Sequence, residues 1–384
     1  MLDGIFKKQS NIRIIVSITS SISMIIDNIF ISRFIGMDGV AAAGLITPVL
    51  MIILAFSGVL SSGGQLIVGP KMGAGEKDKA IGSVSLCFML VFISSVIVIS
   101  GAFLFTDGIC AFLGAEPGSE LMSMAGEYLK GYMIGTPGII GMLAIVPLLN
   151  IDGDKKRSYV SAWAVTISDI VLDIVAVIVF PGSIGAIALA TAISYLLGLI
   201  IISGHFIKKD NRYGLRIRFN NIPWGETRDV FSLGFPAALQ KVLRTMLTFT
   251  INQILLFVGG SIALAGFSIV SNIGNLMNSV GQGLSAATLT ISGVLHGERI
   301  KKSLKDLYRA FIKYSVLWNL VMVIITILGA EVLVGIYLSA KKVDVTAVIM
   351  GVRLFSFDYI FYSLCLCAKN YYLGIKQMKV NYII

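Results

Sequence analysis

Two aspartates inside one apolar stretch are the residues of this sequence best placed to do chemistry. Asp169 and Asp173 lie within an apolar segment from about residue 158 to 180, which is long enough to span a bilayer. Residues four positions apart share one helix face, and an Asp in mid-membrane costs roughly 2.5–3.5 kcal/mol on insertion scales. Such residues usually mark an ion or proton path. We therefore predict an ion-coupling role for the pair, with structural carboxylates satisfied by hydroxyl groups as the alternative.

The composition indicates a polytopic membrane protein. Of the 384 residues, 56% are hydrophobic and only 14% are charged, which fits no soluble globular class. Four scattered cysteines are too few for a disulfide scaffold or a metal cluster,. The two histidines, His205 and His296, fall at helix ends beside basic loops, where we expect solvated positions.

Ten apolar segments predict an all-α fold with about ten transmembrane helices. Gly and Pro residues punctuate the connections, as at Gly259-Gly260-Ser261. The segments are about 12–35, 41–70, 82–105, 124–149, 158–180, 184–206, 230–258, 262–295, 308–330 and 345–372.

The basic residues predict the orientation of these helices. If the N-terminus is cytoplasmic, most of the 31 Lys and Arg residues fall in cytoplasmic connections, and only Arg33, Lys130, Lys341, Lys342 and Arg353 fall outside. This asymmetry follows the positive-inside rule. It accounts for the net charge of +10 and argues against nucleic acid as a partner. The outer connection with Asp107, Glu116, Glu120 and Glu127 is expected to be a solvated loop.

An internal repeat divides the chain. Gly44, Gly75-Glu76 and Lys79 recur as Gly266, Gly297-Glu298 and Lys301 at one constant offset, so residues 10–155 repeat as 230–376. Duplication is a common way to build a transporter whose substrate site lies between the halves. We predict a two-lobed bundle of parallel six-helix repeats, with an N-terminal lobe at 1–220 and a C-terminal lobe at 221–384. The second copy is expected to lack its last two helices, leaving about ten of twelve.

The order of several short patterns resembles the multidrug and toxic compound extrusion (MATE) family, in the bacterial branch that includes staphylococcal-type drug exporters. The resemblance covers essentially the whole chain. The patterns are the run Asp27–Gly36, the alanines 41–43 with Gly44 and Pro48, the run Gly69–Glu76, Gly153-Asp154, Asp169 and Asp173, the run Gly185–Thr191, Gly234-Phe235-Pro236, and the run Asn370–Gly374.

The resemblance implies an antiporter that exports organic cations in exchange for H⁺ or Na⁺ by alternating access. It implies a multi-pass protein of the plasma membrane, expected to be a monomer with the lipid bilayer and small organic cations as its partners, no enzyme activity and no cofactor beyond the coupling ion. The family's cation-site residues match Asp27, Asp173, Thr191 and, where the family has Asn, Asp169. A possible Na⁺ site at the three aspartates is the one metal site that follows.

The estimated depths of these residues in the membrane agree with that cation site. Asp27 lies fifteen residues after Ile12, and Asp173 lies fifteen after Ser158. At about 1.5 Å per residue, each is roughly 22 Å from the inner end of its helix. Thr191 lies seven residues after the outer end of its own helix, so the three side chains are expected at one level.

The predicted drug-binding residues are soft or polar side chains on the helices that would line the space between the lobes. Soft methionine contacts suit varied ligands, and interhelical hydrogen bonding is the alternative role for the asparagines. Asp358, the one acid in the membrane interior of the second lobe, could pair with a cationic drug, with Arg353 or with Lys369. The set is Met24, Gln65, Asn272, Asn275, Asn278, Gln282 and Asp358.

Three other functions remain open at this stage. A lipid-linked oligosaccharide flippase of the same general fold would need basic residues in the cavity, for which Lys241 and Arg244 are the candidates. An inactive truncated transporter is the second alternative. An intramembrane enzyme would need a nucleophile with its base, or a metal triad, and the placement of the histidines argues against it.

Overall fold

All regular structure in the described part of the chain is helical. A computed structural model describes residues 2–207, 214–298, 301–337, 345–377 and 380. The helices are α1 (Leu2–Phe30), α2 (Met37–Gly73), α3 (Lys77–Leu104), α4 (Thr106–Phe112), α5 (Glu120–Ile134), α6 (Thr136–Ile151), α7 (Lys155–Val179), α8 (Ile184–Ile207), α9 (Thr227–Gly297), α10 (Lys301–Tyr337), α11 (Val345–Phe355) and α12 (Asp358–Gly374). A π-helical turn, Ile31–Ile35, follows α1, and two 3₁₀ turns, Phe219–Asn221 and Trp224–Glu226, precede α9.

The described helices confirm a polytopic membrane protein. Six helical stretches are long and apolar enough to cross a membrane, and the bent pair α5–α6 makes a seventh. These seven stretches correspond to seven of the ten predicted segments. Of the other three, the segment 12–35 lies in α1 and the π-helical turn, and the segments 230–258 and 262–295 both lie in α9. The predicted all-helical architecture therefore holds. The outer acidic connection differs from a simple loop, because it contains α4 and the start of α5, although its four acids are exposed as expected.

The two halves of the repeat share one structural irregularity. Helices α5 and α6 meet at Gly135 with a bend of 45°. The same offset that relates Gly75 to Gly297 carries Gly135 to Phe357, and α11 ends and α12 begins around that residue. The repeat is therefore present in the backbone as well as in the sequence.

Helix α9 differs from the prediction. Helical residues run without interruption from Thr227 to Gly297, where the Gly259-Gly260 pair predicted a break. In the first copy the chain leaves the helix at Gly36, which has a φ of +93°. The repeat offset carries Gly36 to Val258, a β-branched residue that resists positive φ. Glycine lowers helix propensity but keeps its N–H group, so the glycine pair alone does not end the helix.

The chain divides into two compact units. One, called unit 1 here, contains Met1–Ser21 and Leu239–Ile384, and the other, unit 2, contains Ile22–Ala238. Helices α1 and α9 therefore each begin in one unit and continue into the other. The lobes predicted at 1–220 and 221–384 remain a prediction. In unit 1, Phe6 of α1 packs in a buried core with Leu284, Phe311 and Tyr371.

A glycine seam joins the bent pair α5–α6 to α8 inside unit 2. Gly131, Gly135 and Gly138 each approach the backbone of α8, and a Cβ atom at Gly138 would lie 2.5 Å from the backbone N of Leu196. Small residues allow helices in a membrane to approach closely. The seam therefore lets α8 pack closely against the bent pair on both sides of the bend.

Polar contacts fix several helix ends in unit 2. Ser119 caps α5 by accepting from the Met122 N–H group, and Asp154 caps α7 by accepting from the Arg157 N–H group, each at 3.2 Å. Side-chain oxygens of these residue types satisfy the free N–H groups of a first helical turn. Lys71 at the end of α2 forms an ion pair of 2.5 Å with Glu226, just before α9.

Candidate functional site

Helix α7 presents a buried polar face and an exposed apolar face. The polar face carries Asp169 and Asp173, which are 1% and 0% exposed. The opposite face carries Ile167, Val171 and Ile178, each more than half exposed. A soluble protein would place these two faces the other way round. The arrangement indicates that lipid covers the apolar face and that the acids point into the helix bundle.

Three carboxylates meet inside unit 2. Asp27, Asp169 and Asp173 each place one carboxylate oxygen so that the three atoms lie within 4.8 Å of one another. Asp27 is half-buried, on the last turn of α1, and the other two are fully buried. Both oxygens of Asp173 and Oδ1 of Asp27 are buried without a hydrogen-bond partner among the described residues. The predicted convergence of these three acids is therefore present in the structure.

Three tyrosines interact electrostatically with the acids, and the sequence did not single them out. Tyr128 and Tyr132 are four residues apart on α5, with ring centroids 6.1 Å apart. Both interact electrostatically with Asp27 and Asp169, as does Tyr195 on α8. Their placement follows from the glycine seam, which brings α5 against α8. The available signal was the interleaving of tyrosines with glycines on α5, and it becomes informative only once the partner helix is known.

Thr191 is buried on α8, the helix that packs against α7. Its hydroxyl group donates to the Ile187 carbonyl over a long 3.4 Å contact. A hydroxyl oxygen that donates one bond retains lone pairs with which it can accept a bond or bind a cation. Its membership of the cation site remains a prediction.

The electrostatics of the cluster favour a bound positive charge. Two unit charges 4.8 Å apart repel by about 3 kcal/mol at an effective dielectric constant near 20. Three ionised carboxylates would repel pairwise, and burial adds a desolvation cost. Carboxylate and hydroxyl oxygens are hard ligands, which suit alkali and alkaline-earth cations as well as protons. The arrangement can bind a cation and release it when the surroundings change.

The predicted drug-binding asparagines on α9 do not share one environment. Asn272 and Asn275 are exposed, whereas Asn278 is 1% exposed and has no partner for either side-chain amide atom among the described residues. Gln282 is exposed. The three-residue spacing predicted one stripe of equivalent asparagines. Helix α9 packs against α12 near Gly281, and of the three asparagines only Asn278, the one nearest to this contact, is buried.

The other predicted drug-binding residues are placed as follows. Gln65 is buried on α2 and donates to the Ser61 carbonyl at 3.1 Å. Asp358 is exposed at the first residue of α12. The basic residues considered as its partners make other contacts, since Arg353 pairs with Glu331 at 3.2 Å and Lys369 donates to Gln240. The side chains of Met24, Lys241 and Arg244 lie outside the described part of the chain.

His205 corrects the expectation of a solvated side chain. It is 3% exposed on the last turn of α8. Its Nε2 atom lies 2.6 Å from Oδ2 of Asp152, and its Nδ1 atom lies 2.8 Å from Oδ2 of Asp154. The adjacent basic loop suggested solvent exposure, but the two carboxylates at the junction of α6 and α7 cover the ring.

Comparison with known proteins gives one consistent result. The family model described as MatE matches residues 13–175 and 236–384. The multidrug export protein MepA of Staphylococcus saprophyticus is 24% identical over 69% of this chain and 59% of its own length. MepA of Staphylococcus haemolyticus is 23% identical over 86% of this chain and 73% of its own length. The probable multidrug resistance protein NorM of Thermotoga maritima is 25% identical over 80% and 66%.

Solved structures share the fold. An outward-facing multidrug resistance MATE family transporter of the MOP superfamily superposes with a TM-score of 0.91, at 23% identity, over all of this chain and 84% of its own. A MOP superfamily transporter from Pyrococcus furiosus, described as having a binding pocket of reverse polarity, gives 0.89 at 22% identity over the same shares. The two-lobed helical architecture predicted from the repeat is therefore confirmed.

Proposed function

We propose that this chain, which belongs to the MatE family, exports small organic cations across the plasma membrane in exchange for protons or Na⁺. The observation that carries this proposal is the buried cluster of Asp27, Asp169 and Asp173. Proteins seldom place three carboxylates together inside a membrane bundle unless ions bind there. Family membership supports transport, and the acids support coupling to a cation.

Coupling follows from the position of Asp27. It lies on the part of α1 that belongs to unit 2, whereas the start of the same helix belongs to unit 1. Cation binding relieves repulsion between Asp27 and the two acids of α7, and release restores it. A ligand can shift a conformational equilibrium only when it binds one state better than the other. Alternating access would arise if the outward-open and inward-open states hold the three oxygens at different distances.

The residues that would hold the cation are the three aspartates with the hydroxyl group of Thr191. The phenol groups of the nearby tyrosines could donate to the carboxylates when the cation has left. Both protons and Na⁺ fit this set of oxygen atoms. No other cofactor is proposed.

The substrates would be small organic cations, and we propose a monomer in the bilayer with a cytoplasmic N-terminus. The names of the relatives MepA and NorM refer to multidrug export and resistance, and the basic connections support the orientation. Asn278, with two buried amide atoms lacking described partners, is the predicted drug-binding residue whose environment most favours a polar ligand. Gln65, Asn272, Asn275, Gln282, Asp358 and Met24 remain predictions.

The test is ethidium efflux from energised cells that express this chain, with Na⁺ and external pH varied separately. We expect efflux in wild type and its loss in Asp173→Asn at equal expression. Asp78→Asn is the matched control, because Asp78 is an exposed acid at the start of α3 in the same unit. Efflux that is equal in wild type and Asp173→Asn, or absent from wild type, would contradict the proposal.

A further inference from the structure

The segment that precedes α9 is held against the transmembrane helices of unit 2. It comprises residues 214–226 and is called the strap here. Both carboxylate oxygens of Glu226, at the end of the strap, are bound. Its Oε1 atom lies 2.5 Å from Nζ of Lys71 on α2, and its Oε2 atom accepts from Oγ of Ser83 on α3 at 2.7 Å. Lys71 also donates to Ser83 at 2.7 Å, so three side chains fix this end of the strap.

The middle of the strap meets the ends of two apolar segments. The Arg218 N–H group donates to Oγ of Ser85 at 2.7 Å, and the Ile217 N–H group donates to the Phe206 carbonyl at 3.0 Å. Ser85 lies near the start of the third predicted apolar segment, and Phe206 is the last residue of the sixth. Apolar segments begin and end where the hydrocarbon core meets the headgroups. These contacts therefore place the strap at the depth of the membrane interface.

Two large aromatic side chains are exposed on the strap. Phe219 is 61% exposed and Trp224 is 49% exposed. Both lie in 3₁₀ turns, outside the helices that are long and apolar enough to cross a membrane. Single exposed apolar side chains are common on protein surfaces. Two aromatic rings at interface depth are a more specific feature, because Trp and Phe are favoured at the boundary between headgroups and acyl chains.

Three arginines accompany the two rings. Arg216 and Arg218 belong to the strap, and Arg228 lies on the first turn of α9; the last two are exposed and Arg216 is half-buried. None of them forms an ion pair within the part of the chain that the structure describes. Of the two neighbouring acids, Glu226 is already bound and Asp229 is exposed. The strap and the turn after it therefore carry an excess of positive charge.

We propose that the strap is an interfacial anchor that binds anionic phospholipids. Phe219 and Trp224 enter the boundary between headgroups and acyl chains, and the arginines bind lipid phosphate groups in the same leaflet. Arginine suits phosphate because its planar guanidinium group can donate two parallel hydrogen bonds. The strap is cytoplasmic in the proposed orientation, and the anionic lipids of the cytoplasmic leaflet attract basic segments beside the membrane. This inference does not depend on what the chain transports.

Other surroundings of the strap make different predictions. If the strap only connects two helices through water, Trp224 contacts water and no lipid. If protein covers the strap, neither lipid nor a water-soluble quencher reaches the ring. If the strap is an anchor, Trp224 lies beside acyl chains, and the lipids around it are enriched in anionic headgroups.

The test measures the fluorescence of Trp224 in the full chain reconstituted in liposomes. Trp163→Phe and Trp318→Phe leave Trp224 as the single tryptophan of the sequence. Two liposome mixtures contain phosphatidylglycerol and phosphatidylcholine in the same proportions, and the lipid that carries bromine on its acyl chains, near the headgroup, differs between them. Bromine quenches a tryptophan that it touches. We expect stronger quenching when the bromine is on phosphatidylglycerol.

Variants of the arginines test the origin of this preference. Arg218→Gln combined with Arg228→Gln should lower the relative affinity for phosphatidylglycerol about fivefold for each arginine replaced. Replacement of both by Lys should retain most of the preference, because the positive charges remain. Lys305→Gln combined with Arg309→Gln is the matched control, since these basic residues are exposed on α10, outside the strap. The control should keep the full preference.

Three results would overturn the inference: equal quenching by the two brominated lipids, no quenching by either, or a preference that the two Gln replacements leave unchanged. Where neither lipid quenches, acrylamide added to the water shows whether solvent or protein surrounds the ring. Failure of the proposed function gives a different result, because it abolishes coupled drug efflux and leaves the quenching of Trp224 as it is.

Discussion

Asp27 of α1 and Asp173 of α7 bring carboxylate oxygens within 4.8 Å of each other inside unit 2. Neither helix places the acids together alone, because the two residues belong to distant parts of the chain. The contact depends on α1 ending in unit 2 and on α7 turning its polar face inward. It creates a buried site of like charges that a bound cation would stabilise.

Asp169 adds a third carboxyl group to that pair. Its replacement by Asn should weaken binding of the coupling cation, because one attraction of about 3 kcal/mol is lost at an effective dielectric constant near 20. The cation concentration for half-maximal efflux should rise by about tenfold to a hundredfold, given tenfold per 1.4 kcal/mol. The control is Asp78→Asn. An unchanged half-maximal concentration would show that Asp169 takes no part in binding.

The hydroxyl group of Thr191 is predicted to bind the cation. Thr191→Val keeps the shape of the side chain and removes the oxygen, and Thr191→Ser keeps the oxygen. Hydrogen bonds to charged groups contribute about 1.5–3 kcal/mol, so Val should raise the half-maximal cation concentration by about tenfold or more. Ser should stay close to wild type. Equal behaviour of Val and Ser would remove Thr191 from the site.

Replacement of Tyr132 is expected to change the half-maximal cation concentration in the opposite direction to replacement of Thr191. A phenol group that donates to an ionised carboxylate stabilises the empty cluster. Tyr132→Phe should therefore lower the half-maximal cation concentration and slow cation release, which is measured as a slower maximal efflux. Tyr159→Phe on α7 is the control. A higher half-maximal concentration would instead mean that the phenol oxygen binds the cation.

The sequence predicted the meeting of the three acids but not the groups around them. The four-residue spacing of Asp169 and Asp173 within an apolar run fixed both acids on one helix face, and local geometry was sufficient for that step. Asp27 required the family resemblance and the depth arithmetic. The three tyrosines could not be found this way, because their approach to the acids depends on which face of α5 packs against α8.

The other differences between the predicted and the observed structure have the same physical origin. The burial of His205 depends on two carboxylates at the junction of α6 and α7, whereas the sequence beside it shows the basic residues Lys208 and Lys209. Helix α9 continues through Val258, the position that the repeat offset assigns to Gly36, although two glycines follow it. Both features arise from contacts or dihedral angles that hydrophobic periodicity does not encode.

The glycine seam gives a test of stability. Gly138→Ala would place a Cβ atom 2.5 Å from the backbone of Leu196, and overpacking of this kind typically costs 1–3 kcal/mol. We expect a lower midpoint of thermal unfolding in detergent and weaker coupling, because α8 carries both Thr191 and Tyr195. Gly101→Ala is the control, since a Cβ atom there meets nothing within 4 Å and Ala favours a helix by about 1 kcal/mol. Equal midpoints for the two variants would contradict the described packing.

The most direct test of the central claim is uphill transport by the purified chain in liposomes, with no drug gradient at the start. A proton gradient or a Na⁺ gradient is imposed separately, and movement of ethidium against its own gradient is recorded for wild type and Asp173→Asn. The account predicts uphill movement in wild type with at least one of the two gradients, and only downhill leakage in Asp173→Asn. Uphill movement of equal rate in both proteins would show that the three-carboxylate cluster does not couple transport to a cation.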